Sequence, residues 1–541
     1  MRERMMNLKG NPFYLNDSQI EKVYNLLEHM TDKQKVGQLF CPEAGRYLPE
    51  QLETMVREYG IGGVLYRPNH SKVLKEYYEK IEQMAEIPLL HAANLEAGGI
   101  GAITDGTHFA NPMGIAAADD LKITKKFALV CAVEGMQSGV NWSFSPVVDI
   151  NYNPQNPITN IRAYSDDPDT VLKHATVFIK TMQDEGMAAC CKHFPGDGVD
   201  FRDQHLHPTY NTLSVEDWNR TYGRVYKALI DEGVLSIMAG HICQPAVTIE
   251  ENPSLRPEEV LPATLCPELL QGVLRGKLGF NGLITTDATI MAGYYQIGEN
   301  RAELLVQSIM AGCDMLLFND NFYEDYEAVL NAVEKGILSH ERLDEAVLRI
   351  LALKMKVCGR ETQRKIEPEK WAYECADKAI TLVKHTGNIL PIATGKTEEI
   401  KICVFGDDGI QGGSLSQIAK DYLNANGYQV TDYDVKKDCS TDVPVLILSN
   451  YGTGSGKTAV RVFWDRGLPF RSDFMARENV IYVSFGNPYH LMDVPRVKTY
   501  INAYSANRIT VEAALCKIIG KSSFTGVSPV DAFCGMIDTK L

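Results

Sequence analysis

Eight short apolar runs, each separated from the next by room for a helix, occupy residues 36 to 318 and restrict the fold more than any other feature of the sequence. They are Val36–Phe40, Gly62–Tyr66, Pro88–Ala93, Val140–Pro146, Met187–Phe194, Val234–Gly240, Gly282–Asp287 and Cys313–Phe318. Runs that are apolar along their whole length belong to strands buried on both faces, as in a parallel sheet covered by helices. A (β/α)8 TIM-type barrel assembles eight such units most economically. A doubly wound open sheet is the alternative, because the order of strand pairing is not written in one sequence.

A helix is expected over residues 16 to 34, ahead of the first run. After the eighth run an amphipathic segment extends from Tyr323 to Lys356, broken at Gly336; its second half, from Leu343, has apolar residues at helical spacing and should close the barrel. The charged stretch Arg360–Lys370 reads as a linker, and at 541 residues the chain is too long for one core. The expected division is a catalytic barrel over 1–358, a linker over 359–370 and a smaller α/β sandwich domain over 371–541. In the sandwich, a helix through Lys384 is followed by runs at Ile400–Phe405, Pro444–Leu448 and Val480–Phe485 and by helices near 414–426 and 511–520. Asn450-Tyr-Gly-Thr-Gly-Ser-Gly-Lys-Thr458 resembles a phosphate-cradling loop, but Tyr451 stands where the P-loop needs glycine, so a turn-rich connection is the plainer reading.

A formal charge of −15 argues against sequence-independent binding to nucleic acid or anionic lipid. No apolar stretch is long enough to span a bilayer. Thirteen scattered cysteines without CxxC pairs, together with a start that has no apolar leader-like region, make a reducing cytoplasmic setting the expectation.

In barrels of this type, chemistry gathers where the strands end and their loops converge. The polar residues at those ends are Asn94 and Glu96, Asp149, Lys192 and His193, His241, Asp287, and Asn319 with Asp320. Asp287 follows Thr285 and Thr286, and a carboxylate there suits attack on an electrophilic carbon; a helix N-cap is the competing role. The stretch Cys190–Pro208 delivers Lys192 and His193 to the rim and continues into a Pro/Gly/Asp-rich mobile loop bearing Asp203 and His205. In an extended segment these two share one side, so the carboxylate can hold one imidazole nitrogen and leave the other for proton transfer. With His207 the same loop also spells a zinc-like spacing, which makes a metal-dependent hydrolase an alternative.

Several segments resemble glycoside hydrolase family 3, in its branch of bacterial β-N-acetylhexosaminidases. They are Asn141–Asn151 through Asn156-Pro, Ile161–Pro168, Lys192-His-Phe-Pro-Gly-Asp-Gly198 with Asp203-Gln-His205, Asp287 with Met291, Leu343–Lys354 and Ser484–Tyr489. The resemblance implies a retaining exo-hydrolase of terminal β-linked N-acetylglucosamine. Asp287 would be its nucleophile and His205, oriented by Asp203, its acid and base, with no cofactor and no metal. Lys192, His193 and Arg162 would bind sugar hydroxyls, with Asn94, Glu96 and Met291 at the same site and a small carbohydrate as the partner. Asn94-Leu-Glu-Ala-Gly-Gly99 departs from the family's DxEGG in having asparagine and an extra alanine; the arginine expected after those glycines is missing, and Asp197 stands where histidine is frequent. Phosphate in place of water would make the enzyme a phosphorylase, and loss of turnover would leave a carbohydrate-binding protein.

Overall fold

A computed structural model describes residues 6–392, 399–406, 408–452, 454–456, 461–464 and 473–541. Two compact units emerge from its contacts: one of residues 1–107, 128–150 and 171–366, the other of residues 108–127, 151–170 and 367–541.

The first unit holds the barrel strands β1 (Phe40–Cys41), β2 (Gly63–Leu65), β3 (Leu90–Ala93), β4 (Trp142–Ser143), β5 (Ala188–Phe194), β6 (Ser236–Ala239), β7 (Leu283–Ala288) and β8 (Met315–Leu317). All pair in parallel, in the order β1-β8-β7-β6-β5-β4-β3-β2. The remaining seam closes through a bridge between Glu43 and Leu65 and the hydrogen bond from Gly62 N to Phe40 O, 3.0 Å. Each of the eight apolar runs thus contributes to a barrel strand, the first only through Phe40, and every residue of β5 and β7 is buried.

Three local expectations are corrected. The helix expected over 16–34 is two helices, Asp17–His29 and Asp32–Gln38, because Thr31 and Gln34 form a capping box that starts a second helix. That second helix absorbs Val36–Gln38, so the first strand starts only at Phe40. The helix expected through Lys384 ends at Ala379, and Thr381–His385 is instead an edge strand antiparallel to Thr499–Asn502, where its β-branched and apolar side chains find a sheet.

The floor of the barrel is polar and tightly paired. Asp314, just before β8, is fully buried and accepts from Arg275 Nη2 at 2.7 Å, Arg342 Nη2 at 2.9 Å, Arg349 Nη1 at 3.4 Å and the Ile284 amide at 2.9 Å. Burial alone would raise its carboxyl; the three guanidiniums outweigh that and hold it below the usual carboxylate range. Lys354 lies buried on helix His340–Val357, its Nζ donating to Gln38 Oε1 at 2.6 Å, and burial lowers its ammonium to about 8. An unfolded lysine still binds its proton between pH 8 and about 10.4, where folded Lys354 has lost it. The unfolding free energy therefore rises with pH across that window, and urea titrations from pH 7 to 10 should show the rise in the wild type and a flatter profile in Lys354→Met.

The second unit is built on a six-stranded sheet in which Glu399–Gly406, Gln429–Asp432, Val445–Asn450, Val480–Ser484 and Thr499–Asn502 are parallel. Its strands alternate between two cores. Leu446, Leu448, Ile481 and Val483 pack with helices Leu415–Ala425 and Arg508–Ile518, while Val445, Ile447, Val480 and Tyr482 pack on the opposite face. This is the expected α/β sandwich. Of the phosphate-loop-like stretch, Thr453, Lys457 and Thr458 lie outside the described residues.

Candidate active site

β5 and β7 flank β6 in the barrel, and their last residues and following loops carry the candidate chemistry. Asp149, buried after β4, accepts at Oδ1 from the amides of His193 (3.0 Å) and Asp197 (2.8 Å), and its Oδ2 lies 2.7 Å from His193 Nδ1. That contact makes Nδ1 the protonated nitrogen and turns Nε2 toward Asp287 Oδ2, 3.9 Å away. The gap is too long for a hydrogen bond.

Asp287 is buried. Oδ1 takes the Ala288 amide at 2.7 Å, and Oδ2 has no hydrogen-bond partner among the described residues. The N-cap role is thereby overturned: the next helix is the short Ala292–Tyr295, whose cap position is Met291. Burial pushes the Asp287 carboxyl up, but the imidazoles of His193, His241 and His205, with the Ala288 amide, outweigh it and hold the group below its ordinary range. The surroundings of Asp287 thus favour its ionised form, with one oxygen held and the other without a hydrogen bond among the described residues, which suits a nucleophile.

His205 and Asp203 meet as expected, though by a different local geometry. The segment is a turn, with Leu206 N and His207 N both donating to Asp203 O, at 3.0 and 3.1 Å. Asp203 Oδ1 accepts from the His205 amide at 2.8 Å and sits 2.7 Å from His205 Nδ1, which fixes the ring with Nε2 away from the carboxylate. The expected extended pairing is corrected because the aspartate closes an Asx turn onto its own backbone. His207 faces Gln296 Oε1 at 2.9 Å, so Asp203, His205 and His207 do not converge. Among the described residues no three His, Cys, Asp or Glu side chains are grouped to hold a metal ion.

Lys192 is buried, with Nζ 2.5 Å from Glu96 Oε1 and 3.3 Å from Asn94 Oδ1. The lysine, the glutamate and the asparagine therefore form one polar cluster, balanced by one carboxylate. Gly196 adopts φ +119°, and a Cβ there would lie 2.1 Å from the Tyr222 ring, so the Pro-Gly turn has no room for a side chain. Arg162 belongs to the second unit, where its Nη1 donates to Ile158 O at 3.2 Å. Two residues gained their roles only from the structure. Asp149 orients His193, and His241 Nε2 donates to Ala288 O at 3.1 Å with Thr264 Oγ1 3.1 Å from its Nδ1. Both were visible in the sequence as polar strand ends, but their partners lie 44 and 47 residues away.

The family model described as the glycosyl hydrolase family 3 N terminal domain matches residues 31–353. The chain belongs to glycosyl hydrolase family 3. Beyond the matched barrel, likeness to this family extends along the whole chain. A Cellulomonas fimi protein named β-N-acetylglucosaminidase/β-glucosidase is 38% identical over 99% of this chain and 100% of its own length. The solved structure of the β-glucoside phosphorylase BglX bound to 2FGlc is 40% identical, with a TM-score of 0.90 over 98% of this chain and 99% of that one. A family 3 β-N-acetylglucosaminidase from Paenibacillus sp. str. FPU-7 is 25% identical, with a TM-score of 0.79 over 94% of this chain and 100% of that one. Among the described residues no helix is long and apolar enough to cross a membrane.

Proposed function

We propose that this family 3 enzyme cleaves terminal β-linked N-acetylglucosamine or glucose with retention, through a covalent glycosyl ester on Asp287. The observation that carries the reading is Asp287 Oδ2, a buried carboxylate oxygen that takes no hydrogen bond among the described residues and faces His193 Nε2 at 3.9 Å, with His241 and His205 also acting on the carboxyl. In the first step Oδ2 attacks the anomeric carbon, the bond to the aglycone oxygen breaks, and that oxygen takes the proton from His205 Nε2. In the second step a water attacks the same carbon from the opposite face, its proton returns to Nε2, and the ester bond to Asp287 breaks. Asp203 holds the ring in the tautomer both steps use. Lys192, Glu96, Asn94 and His193 would bind sugar hydroxyls, with Arg162 and Met291 assigned to substrate binding on resemblance alone.

A second reading has a specific support: the structure at 40% identity is that of a β-glucoside phosphorylase. Inorganic phosphate arrives already ionised and needs no base to become a nucleophile. An imidazole repels it less than a carboxylate in the same place would. Initial rates on a panel of aryl β-glycosides, measured with and without phosphate, decide between the two. Sugar 1-phosphate as the main product, with a rate that rises with phosphate, establishes phosphorolysis; free sugar at a rate indifferent to phosphate establishes hydrolysis. Failure to turn over any aryl β-glycoside under either condition would overturn both readings and leave a carbohydrate-binding protein.

A further inference from the structure

Building on His205 as acid and base, we propose that Gln204 is a positioning residue whose buried amide clips the 195–208 loop to the barrel wall. The clip holds His205 within reach of the glycosidic oxygen before substrate arrives. A loop this rich in glycine, proline and aspartate would otherwise pay an ordering cost at each turnover.

Gln204 is fully buried and uses both ends of its amide. Oε1 accepts from the His241 amide at 3.0 Å, and Nε2 donates to Asp197 Oδ2 at 3.2 Å. Each partner is itself anchored. The His241 ring holds Ala288 O, next to the nucleophile, while the Asp197 amide donates to Asp149 and its carbonyl accepts from Tyr222 OH. A neutral amide of this length is costly to bury unless both ends are satisfied, and when they are it fixes one orientation.

The far side of His205 is pinned as well. Gly293 N donates to His205 O at 3.2 Å, and Gln296 Nε2 donates to Leu206 O at 2.7 Å, both from the segment that follows Asp287. A Cβ on Gly293 would stand 2.1 Å from Gln204 O, so only glycine lets the two segments lie this close. The residues flanking the acid are therefore tied to the loop that leaves the nucleophile.

The test uses the full-length protein and kcat/KM, which reports the first chemical step, across aryl β-glycosides from 2,4-dinitrophenyl to 4-methoxyphenyl. His205→Ala is the reference: it should lose about 10²–10⁴-fold on the poor leaving group and far less on the activated one. Gln204→Met and Gly293→Ala should follow the same dependence, with a loss of about 10–100-fold on the poor leaving group. In the double variant Asp197→Asn with Gln204→Glu, donor and acceptor swap ends at constant charge, and the wild-type dependence should return. Equal losses on every leaving group for Gln204→Met and Gly293→Ala, beside a normal His205→Ala reference, would overturn the clip. So would a folded double variant that keeps the leaving-group defect. A His205→Ala variant without leaving-group dependence would overturn the acid/base reading itself, and the clip with it. Should Gln204→Met not fold, Gly293→Ala and the double variant carry the comparison.

Discussion

Asp287→Ala should lose at least about 10⁴-fold in kcat on every aryl β-glycoside while remaining folded, because the proposed mechanism runs through a covalent bond to this carboxylate. Stability at neutral pH is expected to be unchanged or modestly lower, because the imidazoles that hold the carboxyl down favour its ionised form in the folded chain. Oδ2 takes no hydrogen bond among the described residues, so removing the carboxyl orphans only the Ala288 amide held by Oδ1. Added azide should restore part of the turnover of a dinitrophenyl glycoside and give the α-glycosyl azide, since the small anion can attack from the face the carboxylate vacates. Stopped assays with product configuration read by NMR, beside a thermal melt, check all three expectations. Since the imidazoles hold the carboxyl of Asp287 below its ordinary value of about 3.9, any loss of activity above that pH belongs to another group. Wild-type kcat/KM should accordingly show no limb from Asp287 between pH 4 and neutrality.

Asp314→Ala should be the most damaging change to stability. It removes the one carboxylate that Arg275, Arg342 and Arg349 share and leaves three guanidiniums crowded at the barrel floor. Breaking a buried ion network from one side costs about 3–5 kcal/mol, a large part of the about 5–15 kcal/mol that holds a domain. The Arg275 guanidinium is already pushed down to about 9 by burial, so it depends on this partner. Because the folded carboxyl of Asp314 lies below its unfolded value, its contribution is complete above about pH 4 and fades as pH falls through the folded value. Urea unfolding at pH 7 should show the full loss, and the gap between wild type and variant should narrow in acid. A difference under about 1 kcal/mol at pH 7 would mean that the arginines find other partners.

Much of this architecture was legible because burial on both faces leaves a simple mark. Runs such as Met187–Phe194 and Gly282–Asp287 are apolar until the residue that reaches the rim. The first strand was misplaced because Val36 and Leu39 are as apolar as the strand itself, and only the capping box at Thr31 and Gln34 shows that a helix continues there. At the site, Asp203 and His205 were readable as a pair since they are neighbours, although an Asx turn rather than an extended segment joins them. Asp149, His241 and Gln204 carried no comparable signal. Each works through a partner 37 to 48 residues away, a distance that local spacing does not encode. The cluster of Lys192 with Glu96 and Asn94 likewise depends on β3 and β5 being brought together across β4.

The most direct measurement is to trap the glycosyl-enzyme. A fluorinated glycoside with a good leaving group, matched to the sugar that the aryl panel identifies, forms the ester quickly and loses it slowly. Intact-mass analysis should show one sugar per chain, and peptide mapping should place it on the peptide carrying Asp287, with no adduct on Asp287→Ala. A sugar attached to any other residue, or continued turnover with no adduct, would contradict the assignment of Asp287 as the nucleophile.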